Sequence, residues 1–130
     1  MFSTADLMIK LGTIMIQYTY YHNHRCSKSR QALTILNEHG IEPTIINYLE
    51  TPPSKITLQT ILTQLGISAR QLLRKGEEQY KQLGLADESL SEESLIDAMV
   101  KYPILIERPI VIAGNKAIIA RPPEKVLTLL

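Results

Sequence analysis

Tyr20-Tyr21-His22-Asn23-His24-Arg25-Cys26-Ser27-Lys28-Ser29-Arg30 holds the chain's one cysteine together with His22, His24, Arg25, Lys28 and Arg30. No acid lies between Asp6 and Glu38. A thiol among cations loses its proton more readily than a free one, and the thiolate is the nucleophile. A buried cysteine without chemistry is usually flanked by apolar residues; Cys26 is flanked by Arg25 and Ser27. These flanks favour a reactive thiol, with a pKa in the activated range of roughly 3.5–7.5.

Neighbouring side chains narrow the chemistry. His22 either supports the thiolate or makes a structural hydrogen bond at a strand end, and the residues leave both open. His24 and Arg25 read as solvated loop residues. His22, His24 and Cys26 alternate, but basic neighbours oppose a cation, and no metal site is expected. A phosphatase-type loop needs arginine six positions after the cysteine, where this chain has Ala32. A dithiol oxidoreductase needs a second cysteine where this chain has Ser29. Three further arginines, Arg74, Arg108 and Arg121, each read singly as surface residues. A hairpin joining residues 110–113 to 116–120 would set Arg108 and Arg121 at one end of the sheet. If Cys26 shares that end, two guanidiniums face the thiolate, and guanidiniums bind tetrahedral oxyanions bidentately.

These residues need elements to position them. Residues 13–21 read as a strand and 27–39 as a helix that Gly40 stops, with Ala32, Leu33, Ile35 and Leu36 on one face. Cys26 then sits where a strand turns into a helix start, where unpaired N–H groups and the dipole's positive end favour an anion. Residues 44–49 read as a second strand, so the unit is βαβ and these strands are parallel. Residues 54–102 read as a run of helices without a strand. Ser54 caps the first of them, Ser68 opens a short one containing Leu72, Leu73 and Arg74, and 77–83 form another. Ser91 caps 92–101, and Pro103 ends the run. The hairpin follows across Gly114-Asn115, then a last helix over 124–129. The expected fold is α/β: a mixed four-stranded sheet in the order β-α-β, helical insertion, β-β-α. Residues 1–14 read as an extension that the fold, 15–130, does not require.

Composition sets outer bounds. At 130 residues the chain is one domain by length, and 45% hydrophobic with 21% charged residues is ordinary for a globular protein. A net charge of +1 argues for neither nucleic acid nor an anionic membrane as partner. One cysteine allows no internal disulfide and suits a reducing cytoplasm. No apolar run approaches the roughly 20 residues of a membrane span.

The pattern His22-x3-Cys26-x3-Arg30 after a strand resembles the glutaredoxin-coupled arsenate reductases. The likeness continues through Asn47-Tyr48-Leu49-Glu50-Thr51-Pro52-Pro53, through residues 68–75 (SARQLLRK) and 80–87 (YKQLGLAD), and through 102–111 (YPILIERPIV) and Arg121-Pro122. It spans about 15–130. It implies a thioredoxin-like fold, with Cys26 as nucleophile, His22 as thiolate support and Arg74, Arg108 and Arg121 as oxyanion-binding arginines. Ser27, Lys28, Ser29 and Arg30 complete the anion loop, and Pro109 is a cis-proline opposite the cysteine. It further implies arsenate as substrate, glutathione as co-substrate, glutaredoxin as partner, no bound cofactor, and a monomer in the cytoplasm. The loop departs from the Asn-Pro-x-Cys-Gly-Thr-Ser-Arg of established members. Cys-Ser-Lys-Ser-Arg is also found in relatives named by similarity alone.

Two other readings share the fold. One is a redox regulator resembling the Spx-type RNA-polymerase-binding proteins, which often carry a Cys-x-x-Cys switch; Ser29 replaces its second cysteine. The other is a different glutathione-linked thiol reductase. Retention of all three arginines favours arsenate reduction.

Overall fold

The computed structural model describes residues 16–130. The expected extension, residues 1–14, and the start of the first expected strand lie outside the described residues. Four strands form one mixed sheet in the order β2-β1-β3-β4: β1 (Tyr18–His22), β2 (Thr44–Asn47), β3 (Ile110–Ala113) and β4 (Lys116–Ile119). β2 runs parallel to β1, β3 antiparallel to β1, and β4 antiparallel to β3. The sheet is thioredoxin-like, with helices on both faces.

Strand period two explains those two faces. Tyr20 and Val111 point to one side, where α1 (Ser27–Glu38) supplies Ala32 and Leu36, and a closing 3-10 helix (Pro123–Leu129) supplies Val126 and Leu129. Tyr21 and Ile110 point to the other, against Leu58, Ile61 and Leu62 of α2 (Lys55–Leu65) and Leu95, Ile96 and Met99 of α5 (Glu92–Lys101). Each fully buried Leu, Ile, Val or Met side chain among them contributes about 1.5–3 kcal/mol. The helices between β2 and β3 therefore build the second core. Ser54 Oγ accepts from Thr57 N–H at 3.2 Å and Ser91 Oγ from Ser94 N–H at 3.1 Å, capping α2 and α5. Gly66, at φ 68°, closes α2 in the left-handed region that glycine adopts without strain.

Several boundaries differ from expectation, each for a local reason. β1 runs one residue further, because His22 pairs with Asn47 of β2. β2 stops at Asn47, whose carbonyl accepts from Glu50 and Thr51 N–H and so turns the chain before Tyr48. The closing helix is 3-10 rather than α and starts at Pro123, and a 3-10 turn (Pro103–Leu105) follows α5. Between β3 and β4, Gly114 takes φ 61° and Asn115 stays at negative φ, as in a type II′ turn.

The largest difference concerns Arg74. It does not lie late in a helix: α3 is the single turn Ala69–Leu72. Leu73 is extended (φ −69°, ψ 136°) and forms an antiparallel bridge with Ile106. Arg74 N–H donates to Leu105 O at 2.8 Å, and Glu107 N–H to Leu72 O at 2.9 Å. This short ladder ties Arg74 to the segment leading into β3, so Arg74 is more firmly placed than a frayed helix end would hold it.

Candidate active site

The site grows from the C-terminal edge of β1. Cys26 is the N-cap of α1, in extended conformation (φ −93°, ψ 121°). Its N–H donates to Asn23 O at 2.9 Å, and its carbonyl accepts from Arg30 N–H at 3.1 Å. Asn23 Oδ1 accepts from Arg25 N–H at 3.0 Å and tightens the turn. The first turn of α1 holds no acid, so its free N–H groups face the sulfur unopposed. Burial pushes the Cys26 thiol up. The Ser29 N–H, the Arg108 guanidinium (by hydrogen bonding and by charge) and the Lys28 N–H outweigh it, leaving the thiol below its ordinary pKa.

A buried hydrogen-bond cluster supports this loop. Ser29 is fully buried, and its Oγ lies 2.8 Å from His22 Nδ1 and accepts from Asn23 N–H at 3.1 Å. Tyr20 donates its hydroxyl to Ser29 O. Burial, with His24 and Arg30 adding positive charge nearby, holds His22 below its usual pKa, so it is neutral near pH 7. His22 thus makes a structural hydrogen bond to Ser29 of the loop that carries Cys26. Arg30 donates to His24 O at 2.8 Å and braces the loop from outside. Ser27 and Lys28 expose their side chains, and Lys28 serves the sulfur through its backbone.

The arginines arrive from the opposite strands. The peptide bonds before Pro109 and Pro122 are both cis. Ala120 N–H donates to Pro109 O at 2.9 Å, which aligns the end of β4 with the start of β3. Arg108 is the guanidinium beside Cys26. Arg121 stands behind it, with Nη1 donating to Arg108 O at 3.1 Å. Arg74 completes the group from the bridged segment. Among the described residues, Nε and Nη1 of Arg108 are buried and make no hydrogen bond. Two guanidinium donors withheld from water and left unsatisfied beside a thiolate are what an oxyanion would complete.

Three further groups belong here that the sequence did not single out. Tyr48 is 1% exposed, and its hydroxyl has no hydrogen-bond partner among the described residues. Burial pushes its phenol up to about 12 against the lowering influence of Arg108, Asn23 and Arg74, so it stays protonated. Its signal was positional, since it follows the strand paired with β1. Glu77 Oε1 lies 3.1 Å from Arg74 Nε and 3.6 Å from Arg108 Nη1. Glu107 Oε1 lies 2.5 Å from Arg74 Nη1 and 3.7 Å from Arg121 Nη1. An acid directly before Arg108 in an otherwise apolar run was the available hint for Glu107. Among the described residues, no three His, Cys, Asp or Glu side chains are grouped to hold a metal.

Residues 21–129 match the sequence model of the ArsC family. The chain belongs to the ArsC family. It is 57% identical over 114 residues to the uncharacterized protein YfgD of Escherichia coli strain K12, covering 87% of this chain and 96% of that one. It is 47% identical over 116 residues to an Escherichia coli arsenate reductase, covering 89% of this ArsC-family chain and 82% of the relative. The solved arsenate reductase of Vibrio cholerae superposes with a TM-score of 0.86 at 46% identity, over 88% of this chain and 98% of that one. As an ArsC-family protein the chain shares its fold along with its sequence. Among the described residues no helix is long and apolar enough to cross a membrane.

Proposed function

We propose that this chain is an arsenate reductase that works through a covalent Cys26–arsenic adduct and draws its electrons from glutathione. The observation that carries this is the pair of buried guanidinium nitrogens of Arg108, Nε and Nη1, left without hydrogen-bond partners beside a thiol of lowered pKa. The relatives named arsenate reductase, at 47% and 46% identity, supply the oxyanion.

The Cys26 thiolate attacks arsenic. A sulfur–arsenic bond forms, an arsenic–oxygen bond breaks, and the departing oxygen takes a proton from solvent and leaves as water. Arsenic stays at +5 in this step. A thiolate approaching an oxyanion meets like charge, and Arg108 offsets that repulsion and holds the oxygens as charge redistributes. A glutathione thiolate then bonds to the Cys26 sulfur. The sulfur–arsenic electron pair stays on arsenic, which falls to +3 and leaves as arsenite. The mixed disulfide needs a second thiol, and this chain offers Cys26 alone. Glutaredoxin with a second glutathione supplies it and restores the thiolate. The chain acts as a monomer in the cytoplasm, where glutathione keeps such a thiol reduced.

The test is a coupled assay with purified protein, arsenate, glutathione, glutaredoxin, glutathione reductase and NADPH. NADPH consumption that depends on arsenate and vanishes in Cys26→Ser is expected. Consumption equal in the two proteins, or none with wild type, overturns the reading.

A further inference from the structure

The three arginines do not wait empty-handed. Each is within ion-pair distance of a carboxylate, and each of the two carboxylates bridges two arginines. Three guanidiniums thus meet two carboxylates and the Cys26 thiolate, so the cluster is close to neutral before any oxyanion arrives. The two acids are held differently. Glu107 Oε1 also accepts the N–H of Arg108 at 3.1 Å, and its backbone belongs to the ladder with Leu72. The backbone of Glu77 is held in the turns to Arg74 and Tyr80, but its carboxylate accepts from no backbone N–H among the described residues. Glu77 is the N-cap of α4 (Glu78–Gln82), yet its side chain makes no capping hydrogen bond. Its carboxylate instead spans Arg74 Nε and Arg108 Nη1, where an oxyanion bound by both arginines would place an oxygen.

We propose that Glu77 is a displaceable internal anion that occupies the oxyanion site between Arg74 and Arg108 and sets how tightly an anion must bind to enter it. The inference deepens the oxyanion assignment made above. A ligand must displace a carboxylate that is already tethered at high local concentration. A single negative charge gains little over that carboxylate, whereas a doubly charged tetrahedral oxyanion gains a second charge and further oxygens for Arg108's unsatisfied nitrogens. Glu77 thus raises the threshold that any anion must pass, and a dianionic tetrahedral oxyanion, with its greater intrinsic affinity for the arginines, passes it most readily. Once displaced, the Glu77 carboxylate is free to swing outward, while Glu107 remains and keeps Arg74 and Arg121 in register.

Sulfate is the probe, because it is a tetrahedral dianion that the thiol does not reduce. Its dissociation constant is read by NMR titration of the amide shifts of residues 27–30, 107, 108, 110 and 111 in wild type, Glu77→Gln, Glu77→Asp and Glu78→Gln. Glu77→Gln removes the competing charge, and roughly five- to tenfold tighter sulfate binding is expected, the scale of one partly buried ion pair. Glu77→Asp keeps the charge but shortens its reach, and it tightens binding to a lesser degree. Glu78→Gln removes the same charge from the neighbouring position, whose carboxylate bonds Gln82 instead, and leaves the constant unchanged. The single-charge anion formate, weak against wild type, tightens by about the same factor in Glu77→Gln, because an internal competitor lowers the affinity of every ligand of that site alike. Unchanged or weaker sulfate binding in both Glu77 variants overturns the proposal and makes Glu77 a strut that positions Arg74 and Arg108. Equal tightening in Glu78→Gln overturns it too, because the effect is then general charge. The titration needs no turnover, so an absence of arsenate reduction would sink the proposed activity and leave this result standing.

Discussion

At the scale of single residues, the chemistry rests on one sulfur and the donors aimed at it. The thiol is lowered mainly by the Ser29 N–H and by Arg108, against a burial effect of opposite sign. Thiolate ultraviolet absorbance followed against pH should therefore show a midpoint below the free-cysteine value of about 8.5. Arg108→Ala should move that midpoint up and cut arsenate turnover by roughly 10²–10³-fold, the scale of one lost oxyanion donor. Arg108→Lys should recover only part, because a point charge attracts the oxyanion without the guanidinium fork. Arg121, one layer out, should cost less when truncated than Arg108. Tyr48 separates stability from function. Its hydroxyl is buried and unpartnered, so Tyr48→Phe removes a desolvated group and should leave the melting temperature unchanged or slightly higher. If the hydroxyl meets the substrate, turnover should nevertheless fall, and a variant equal to wild type in both measurements would remove Tyr48 from the site.

At the scale of elements, the site depends on where three segments end. β1 stops beside the start of α1, the hairpin aligns Arg108 with Arg121, and the 73–106 bridge holds Arg74. The bridge follows directly from α3, a single turn kept helical by a capping box in which Ser68 and Gln71 satisfy each other's backbone N–H groups. Ser68→Ala should cost about 1 kcal/mol in urea unfolding. If α3 positions Arg74 for the substrate, the same variant should raise the KM for arsenate more than it lowers kcat. A proportionate loss of both would point to general loosening.

At the scale of the whole molecule, stability is linked to pH through the buried histidine. The unfolded His22 titrates near 6.5, and burial holds the folded value lower. A depressed folded pKa means the neutral form is favoured by folding. Its contribution is complete above about pH 6.5 and is lost as pH falls through the folded value. The melting temperature of wild type should therefore drop on acidification from pH 6.5, and His22→Gln should flatten that part of the curve. We also propose that residues 15–130 form the working domain. Protein lacking residues 1–14 should match the full chain in circular dichroism and arsenate turnover, and a loss of either would place the extension in the fold.

The order of elements, the two-sided sheet and the position of Cys26 at a helix start were legible because they depend on local patterns. These were strand alternation, helix caps such as Ser54 and Ser91, the Gly114-Asn115 turn, and a cysteine among cations at a helix start. The three arginines were readable in part: hairpin pairing alone placed Arg108 with Arg121, whereas Arg74 came only from family resemblance. The sequence put Arg74 in a helix because Leu72-Leu73-Arg74 continues the apolar spacing, and only the tertiary bridge to Ile106 pulled Leu73 out of it. Residues 48, 77 and 107 joined the site for the same reason. Each meets an arginine tens of positions away, as Glu107 meets Arg74 and Glu77 meets Arg108. No local pattern records a pairing that forms only when separate segments fold against one edge of the sheet. Whether each arginine stands free or carboxylate-paired is decided by that packing, and with it how strongly the site holds an anion.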